Sequence, residues 1–288
     1  MAQGTSLSHR DKIVAHYEQT TPLYKKFWYF GKAYALHNGF YDKRHLTPFR
    51  ALENTNRVLA YLAKITPQDK ILDAGCGVGG GAVWIAKNIG AKVTGINISS
   101  LQLDMARQLA REQDVNNLVN FENRDYCDTK FPNNTFDVVW MNDSSCHAEN
   151  KETLVREAYR ILKPGGRIIV SDGFTIKRKA ELPNVLRKMQ DKFEDGFAIG
   201  ELATTEDFKN YLRRSGFRDI RIIDKTKATF PNFLYAFIFG LPAYPLLWVL
   251  EKFKKVHPMV RKFALTAILQ FIGERTKLAR YLIFLASK

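Results

Sequence analysis

The stretch KILDAGCGVGGG, Lys70 to Gly81, decides how the rest of the chain is read. It opens as a short apolar run and then breaks into glycines, the pattern of a buried parallel strand feeding a tight turn and a helix. Gly75, Gly77, Gly79, Gly80 and Gly81 let a ligand approach the main chain and a helix N-terminus with no Cβ in the way. The spacing of Gly75, Gly77 and Gly80 also satisfies the dinucleotide fingerprint GxGxxG, a weak signal by itself. Three features turn the reading away from a dinucleotide. Asp73 stands two residues before the first glycine, where a carboxylate suits an ammonium or sulfonium better than a diphosphate. The acidic residue expected about 20 positions after the first glycine is missing, because the second strand ends at Asn97. Asp125 follows the third strand, where an adenine amino group could be bound.

Outward from this stretch, strands and helices alternate at the length a βαβ unit needs. AKVTGINI, VNFENRD, FDVVWMND and RIIVSD read as strands, with helices at Ser99 to Gln113 and Lys151 to Leu162, and KPGG as a turn. Upstream, Asp11 to Gln19 and Phe49 to Ile65 read as helices around an aromatic stretch from Tyr24 to Phe30, and Pro67 closes this preface. Downstream, Thr204 with Asp207 caps a helix from Glu206 to Arg214. FRDIRIID and ARYLIFLASK are the last two strand candidates.

The chain has 288 residues, 44 Lys and Arg against 29 Asp and Glu, and a net charge of +15. Such a balance favours an anionic partner: nucleic acid, an anionic bilayer face or a phosphorylated substrate. No helix-turn-helix, zinc-finger or RNP pattern occurs, so nucleic acid is not expected. Cys76, Cys127 and Cys146 are an odd, widely spaced set outside any CxxC pair, which suggests neither a disulfide framework nor a zinc site. The polar opening MAQGTSLSHRDK lacks the apolar core of a secretory signal, so a cytoplasmic location is expected.

In order, ILDAGCGVGGG, VTGINIS, FDVVWMNDSSCHA and LKPGGRIIVSD resemble the motifs of class I S-adenosylmethionine-dependent methyltransferases. With HYEQTTPLYKKFW, LHNGFYD and SGFRDIRIIDKT they resemble, more narrowly, the sterol C-methyltransferase and tocopherol methyltransferase group. The resemblance spans nearly the whole chain. It implies an α/β fold: a Rossmann-like, seven-stranded, mostly parallel sheet with an N-terminal helical cap over residues 1–66. The cofactor-binding core would run over 67–225 with a helical insertion at about 175–215, a C-terminal helical lid over 226–278, and a returning last strand over 279–288. It also implies S-adenosylmethionine as cofactor. Gly75, Gly77 and Gly79 would line its methionine part with Asp73 supporting the loop, Asn97 and Gln102 would take the ribose, and Asp125 with Tyr126 the adenine. Ile98 and Asn142 at the strand ends complete the expected set. Asn97 departs from the Asp or Glu of many relatives, so Gln102 is expected to share the ribose.

Asp143 and His147, four apart after the fourth strand, stand where the sterol enzymes this chain resembles carry an acidic residue and a His, and ligands lie at strand C-termini in such sheets, so they are the expected catalytic pair. The plainer reading is that Asp143 caps the next turn and His147 packs on the cofactor. Tyr24 and His37 are the expected closing residues from the preface, whereas Phe27, Trp28, Tyr29 and Phe30 read as cap core. No metal is expected at the site.

Ala228 to Leu250 carries no charge and is long enough to span a bilayer. Pro231, Pro242 and Pro245 interrupt it, and the chain must return to complete its sheet. A broken helical hairpin over the site is therefore expected, either dipping into a membrane face with Lys252, Lys254, Lys255, Arg261 and Lys262 near headgroups, or packed wholly on the core. Either version suits a lipophilic substrate. Preferred is C-methylation of an isoprenoid or sterol-type lipid. A prenyl diphosphate with Mg²⁺, or N- or O-methylation of a phenol, polyketide or alkaloid, is the alternative; a binding module without transfer and a dehydrogenase are the rivals from other classes.

Overall fold

The computed structural model describes residues 8–23 and 35–288. Along the chain its elements are α1 (His9–Leu23), α2 (Pro48–Leu62), β1 (Lys70–Ala74), α3 (Gly80–Ile89), β2 (Lys92–Asn97), α4 (Ser100–Glu112), β3 (Val119–Asn123) and β4 (Phe136–Asn142). There follow α5 (Lys151–Ile161), β5 (Leu162–Thr175), α6 (Asn184–Phe197), α7 (Thr205–Arg214), β6 (Arg218–Asp224), α8 (Thr226–Lys252), α9 (Pro258–Arg275) and β7 (Ala279–Ser287). The strands form one seven-stranded sheet in the order β3-β2-β1-β4-β5-β7-β6. β1 to β5 run parallel, and β7 inserts antiparallel between β5 and β6.

Alternate residues of each strand face opposite sides of the sheet, and two cores result. Ile71, Val93, Val138, Trp140 and Ile169 pack with Leu59, Val83 and Leu103 from α2, α3 and α4. Leu72, Ile96, Val139, Met141 and Val170 pack with Leu154, Phe208 and Leu212 from α5 and α7. Side-chain caps start the helices: Ser99 accepts from the Gln102 N–H, Asn150 from Thr153 and Thr204 from Asp207, the last as its spacing predicts.

Two expectations change. KPGG, read as a turn, stays inside β5, where Leu162 pairs with Phe136 and Arg167 with Val138 across a bulge; Gly165, at φ 77°, absorbs the extra residues. The segment 228–250 is not a broken hairpin. It lies within α8, which runs unbroken through Pro231, Pro242 and Pro245; the chain turns only after Lys252 and returns as α9. A proline inside an isolated helix costs about 3 kcal/mol, but here α9 packs along α8. A Cβ on Gly240 would stand 3.1 Å from the Ala264 carbonyl, and Phe237 stacks on Phe271. These contacts with α9 hold one side of α8, while Pro242 and Pro245 stand exposed on it.

Helix α3 starts from Gly79, which holds φ 86°, and a Cβ there would stand 2.7 Å from the Ala106 Cβ of α4. Gly79→Ala is expected to destabilise the fold by about 1–3 kcal/mol, measured as a lower denaturant midpoint. Gly273→Ala is the control: its Cβ would meet nothing within 4 Å, and inside α9 it should raise the midpoint slightly.

Candidate active site

A cavity of about 400 Å³ lies at the C-terminal edge of the sheet, where the strand order reverses on either side of β1. Asp73, Gly75, Gly77, Asn97, Ile98, Gln102, Asp125, Tyr126 and Asn142 line it together, and so does His37. Gly79 does not: it faces Ala106 and Phe121, and Gly80 and Gly81 line the cavity in its place. At 79 the missing Cβ makes room for Ala106 and Phe121. Tyr24 and the aromatics Phe27 to Phe30 fall outside the described residues.

The cavity's polar groups are held by short local bonds. Asn97 donates from Nδ2 to Gln102 Oε1 at 2.7 Å, while its Oδ1 accepts from the Ile98 N–H at 2.7 Å. Gln102 in turn donates to Thr21 Oγ1 of α1 at 3.3 Å. Tyr126 donates to the Ser144 carbonyl at 3.0 Å, and Asp125 accepts from the Cys127 N–H at 2.7 Å. Two groups stand out as unfinished. Both polar atoms of the Asn142 carboxamide are buried without a hydrogen-bond partner, a condition that costs free energy unless a ligand completes it. Asp73 is buried beside Gly81, and burial pushes its carboxyl up to about 7. A cationic ligand end would restore its charge. Carboxylate, open carboxamide and glycine backbone thus fit the amino-acid end of S-adenosylmethionine.

A second cavity, of about 500 Å³, adjoins the first beneath α6, α8 and α9. Its wall is largely apolar, with Leu186, Phe193, Phe197, Phe233, Leu247 and Phe263. The two cavities share four residues: Tyr17, Leu36, Asp143 and His147. Asp143 takes φ 52° just past β4, a conformation Asp tolerates better than most residues. Its Oδ2 accepts from the Asn38 N–H at 2.6 Å and from Asn38 Nδ2 at 3.0 Å, and its Oδ1 from the Tyr281 hydroxyl at 2.9 Å. Burial first, and the charge of Asp172 second, raise it to about 7. Capping of the turn after β4 falls instead to Asp172, which accepts from Ser145 Oγ at 2.6 Å and the Cys146 N–H at 2.9 Å.

His147 closes the junction. Its Nδ1 faces the Ala198 carbonyl at 3.2 Å and must carry the hydrogen there, which leaves Nε2 to accept from Tyr17 Oη at 2.7 Å. Burial lowers it to about 4, so the ring is neutral near pH 7. Lys151 braces this turn by donating to the Cys146 and Ala148 carbonyls. Asp143 and His147, the expected pair, both stand at this junction, and Tyr17, Asn38, Asp172 and Tyr281 join them through contacts with no sequence signal; no spacing rule links Tyr17 to His147 or Tyr281 to Asp143.

Residues 72–170 match the family described as a methyltransferase domain. The chain is 30% identical over 201 residues to 27-O-demethylrifamycin SV methyltransferase of Amycolatopsis mediterranei, covering 70% of this chain and 73% of that protein. It is 28% identical over 245 residues to the chloroplastic tocopherol O-methyltransferase of Arabidopsis thaliana, covering 77% and 67%. Among solved structures, the cyclase SpnF superposes with a TM-score of 0.80 at 22% identity over 100% of this chain and 99% of that one. Geranyl diphosphate C-methyltransferase from Streptomyces coelicolor, in complex with Mg²⁺, geranyl-S-thiolodiphosphate and S-adenosyl-L-homocysteine, gives 0.76 at 18% identity, with 99% of each chain covered. The structural likenesses carry the fold; the sequence relatives carry the family. The chain belongs to the S-adenosylmethionine-dependent methyltransferases, with S-adenosylmethionine as its cofactor, and is related to the sterol C-methyltransferase and tocopherol methyltransferase group.

Proposed function

We propose that this enzyme methylates a carbon of an uncharged, isoprenoid- or sterol-type lipid. One observation carries the reading: a polar cavity and an apolar cavity meet at Asp143, His147, Tyr17 and Leu36. S-adenosylmethionine, when bound, supplies an electrophilic methyl group on a sulfonium. Asp73 and Asn142 would hold its amino-acid end against the backbone of Gly75 and Gly77, Asn97 and Gln102 its ribose, and Ile98, Asp125 and Tyr126 its adenine.

An alkene carbon that accepts a methyl group leaves a carbocation beside it, and a proton must then be lost. The buried Asp143 carboxylate stabilises that positive charge, where low local polarity strengthens its field. Tyr17 Oη accepts the proton while passing its own to His147 Nε2, 2.7 Å away. The apolar wall keeps water from capturing the cation.

A diphosphate substrate fits this wall less well. Among the described residues lining the apolar cavity, Arg280 is the sole cation, and it lies 3.5 Å from Asp224. O-methylation of a phenol is the second reading, and it would need the Tyr17–His147 pair to take up the hydroxyl proton. Incubation of lipid extracts with deuteromethyl cofactor distinguishes them: fragment masses place the label on carbon or oxygen. Label appearing only in water-soluble phosphorylated species would sink the neutral-lipid proposal.

Asp73 provides a linkage test. Bound cation favours its ionised form and lowers its pKa from about 7, so binding releases a proton near neutral pH and affinity falls as pH drops below about 7. Calorimetry of S-adenosylhomocysteine binding, in buffers of different ionisation enthalpy, should show that release. Asp73→Asn should abolish it and weaken binding roughly tenfold or more.

Tyr17→Phe and His147→Gln are expected to lower kcat by about 10²–10⁴-fold, and Asp143→Asn by about 10²–10³-fold. Cofactor affinity should change little in all three. Loss of cofactor binding with turnover per bound complex unchanged would remove these residues from the chemistry.

A further inference from the structure

Helix α8 carries a surface that methyl transfer leaves unexplained. Leu234, Ile238, Leu241, Pro245 and Trp248 recur four, three, four and three residues apart, so they share one side of the helix. Ile238 is 56% exposed, Leu241 53% and Trp248 50%. A helix apolar on all sides is normally buried in a core or a membrane, yet only 11% of the most apolar stretch of α8 is buried within the protein. The opposite side, with Phe233, Ala236, Gly240 and Ala243, lines the apolar cavity. Phe239 belongs to both: it lines the cavity and is 57% exposed.

Charge at the helix end says what covers this face. Lys252, Lys254 and Lys255 follow directly, with the Lys252 ammonium 5.3 Å above the Trp248 ring, and neighbouring Glu251 is taken up by Arg261. An apolar stripe ending in an aromatic ring and lysines is the arrangement of a helix lying at a lipid–water boundary. The net charge of +15 likewise favours an anionic surface over a second copy of the same chain. The helix cannot cross the bilayer, because its other side is bound to its own fold. Asn232 exchanges hydrogen bonds with Gly39, at 2.8 and 3.3 Å, and α9 leads back into the sheet as β7.

We propose that α8 docks on an anionic bilayer, with the Leu234–Trp248 stripe among the acyl chains and the lysines at the headgroups, and that the lipid substrate enters the apolar cavity past Phe239. Docking stands on the surface alone; only the entry step rests on the neutral-lipid reading above.

The test uses the full chain and vesicles of phosphatidylcholine with or without phosphatidylglycerol. Sedimentation should show binding that rises with phosphatidylglycerol and falls with salt. Brominated acyl chains should quench a fluorescence component that Trp248→Phe removes. Ile238→Glu with Leu241→Glu should weaken vesicle binding at least about tenfold, while S-adenosylhomocysteine binding, unchanged, reports an intact fold. If that double variant misfolds, Lys252→Gln, Lys254→Gln and Lys255→Gln together should remove the preference for phosphatidylglycerol. No binding to anionic vesicles, or binding that neither variant set weakens, overturns the proposal. A dimer in sedimentation velocity that the double variant dissociates assigns the stripe to a second copy and overturns it too. Vesicle binding without any methyl transfer to lipid leaves docking standing and defeats only the function proposed above.

Discussion

The site depends on one buried carboxylate. Asp143 follows β4 directly, yet the three hydrogen bonds of its carboxylate go to Asn38, more than a hundred residues earlier, and to Tyr281 on the last strand. A buried acid is costly unless its oxygens are satisfied, so these bonds do more than decorate a cavity. They fix the stretch around Asn38 against the sheet edge. Once that segment is fixed, Phe40 is buried, the Tyr41 N–H reaches the Ala228 carbonyl at 2.9 Å, and Asn232 of α8 locks onto Gly39. Early and late parts of the chain thereby become two walls around one point on β4. Insertion of β7 between β5 and β6 makes this anchor rigid, because Tyr281 sits on a strand paired on both sides.

Much of the fold was legible in the sequence because its signals are local. A strand–glycine–helix junction announces itself within a dozen residues, and the alternation that follows leaves little choice but a parallel sheet with helices on both faces. The polar cavity was legible for the same reason: Asp73, Asn97, Asp125 and Asn142 all stand at strand ends, which fixes their common edge before any contact is known. The packing of Gly79 on Ala106 was not legible, because a sequence shows that a Cβ is missing but not which neighbour needs the room. The unbroken α8 was misread because proline's cost is local while the helix that packs along it, α9, comes later in the chain.

The residues that sequence reasoning missed share a different property. Asn38 lies 105 residues from Asp143, Tyr17 lies 130 from His147, and Tyr281 lies 138 from Asp143. Each looks ordinary in its own element. Tyr17 stands in a polar helix and Tyr281 in an apolar strand. Only tertiary contact gives either a hydrogen-bonding partner with chemistry. The apolar cavity is equally non-local, since α6, α8 and α9 build it against one another as much as against the sheet. Small residues set that packing: a Cβ on Gly196 would stand 2.1 Å from Thr266 Cγ2. Substitutions along these helices can therefore reshape the cavity without disturbing the strand ends that line the polar one.

The protonation state of His147 bears on which atom is methylated. With its pKa lowered to about 4, the imidazole is a weak base. Taking a proton outright from a phenol, whose pKa is about 10, would be uphill by roughly six units, or about 8 kcal/mol. A proton beside a carbocation is incomparably more acidic, and for that proton a weak, neutral, well-oriented base suffices. A neutral ring also adds no positive charge next to the developing cation, whereas a protonated one would oppose the field of Asp143. On the carbon-methylation reading proposed above, the burial that spoils His147 as a base for hydroxyl groups is the condition under which Tyr17, His147 and Asp143 would act together on carbon.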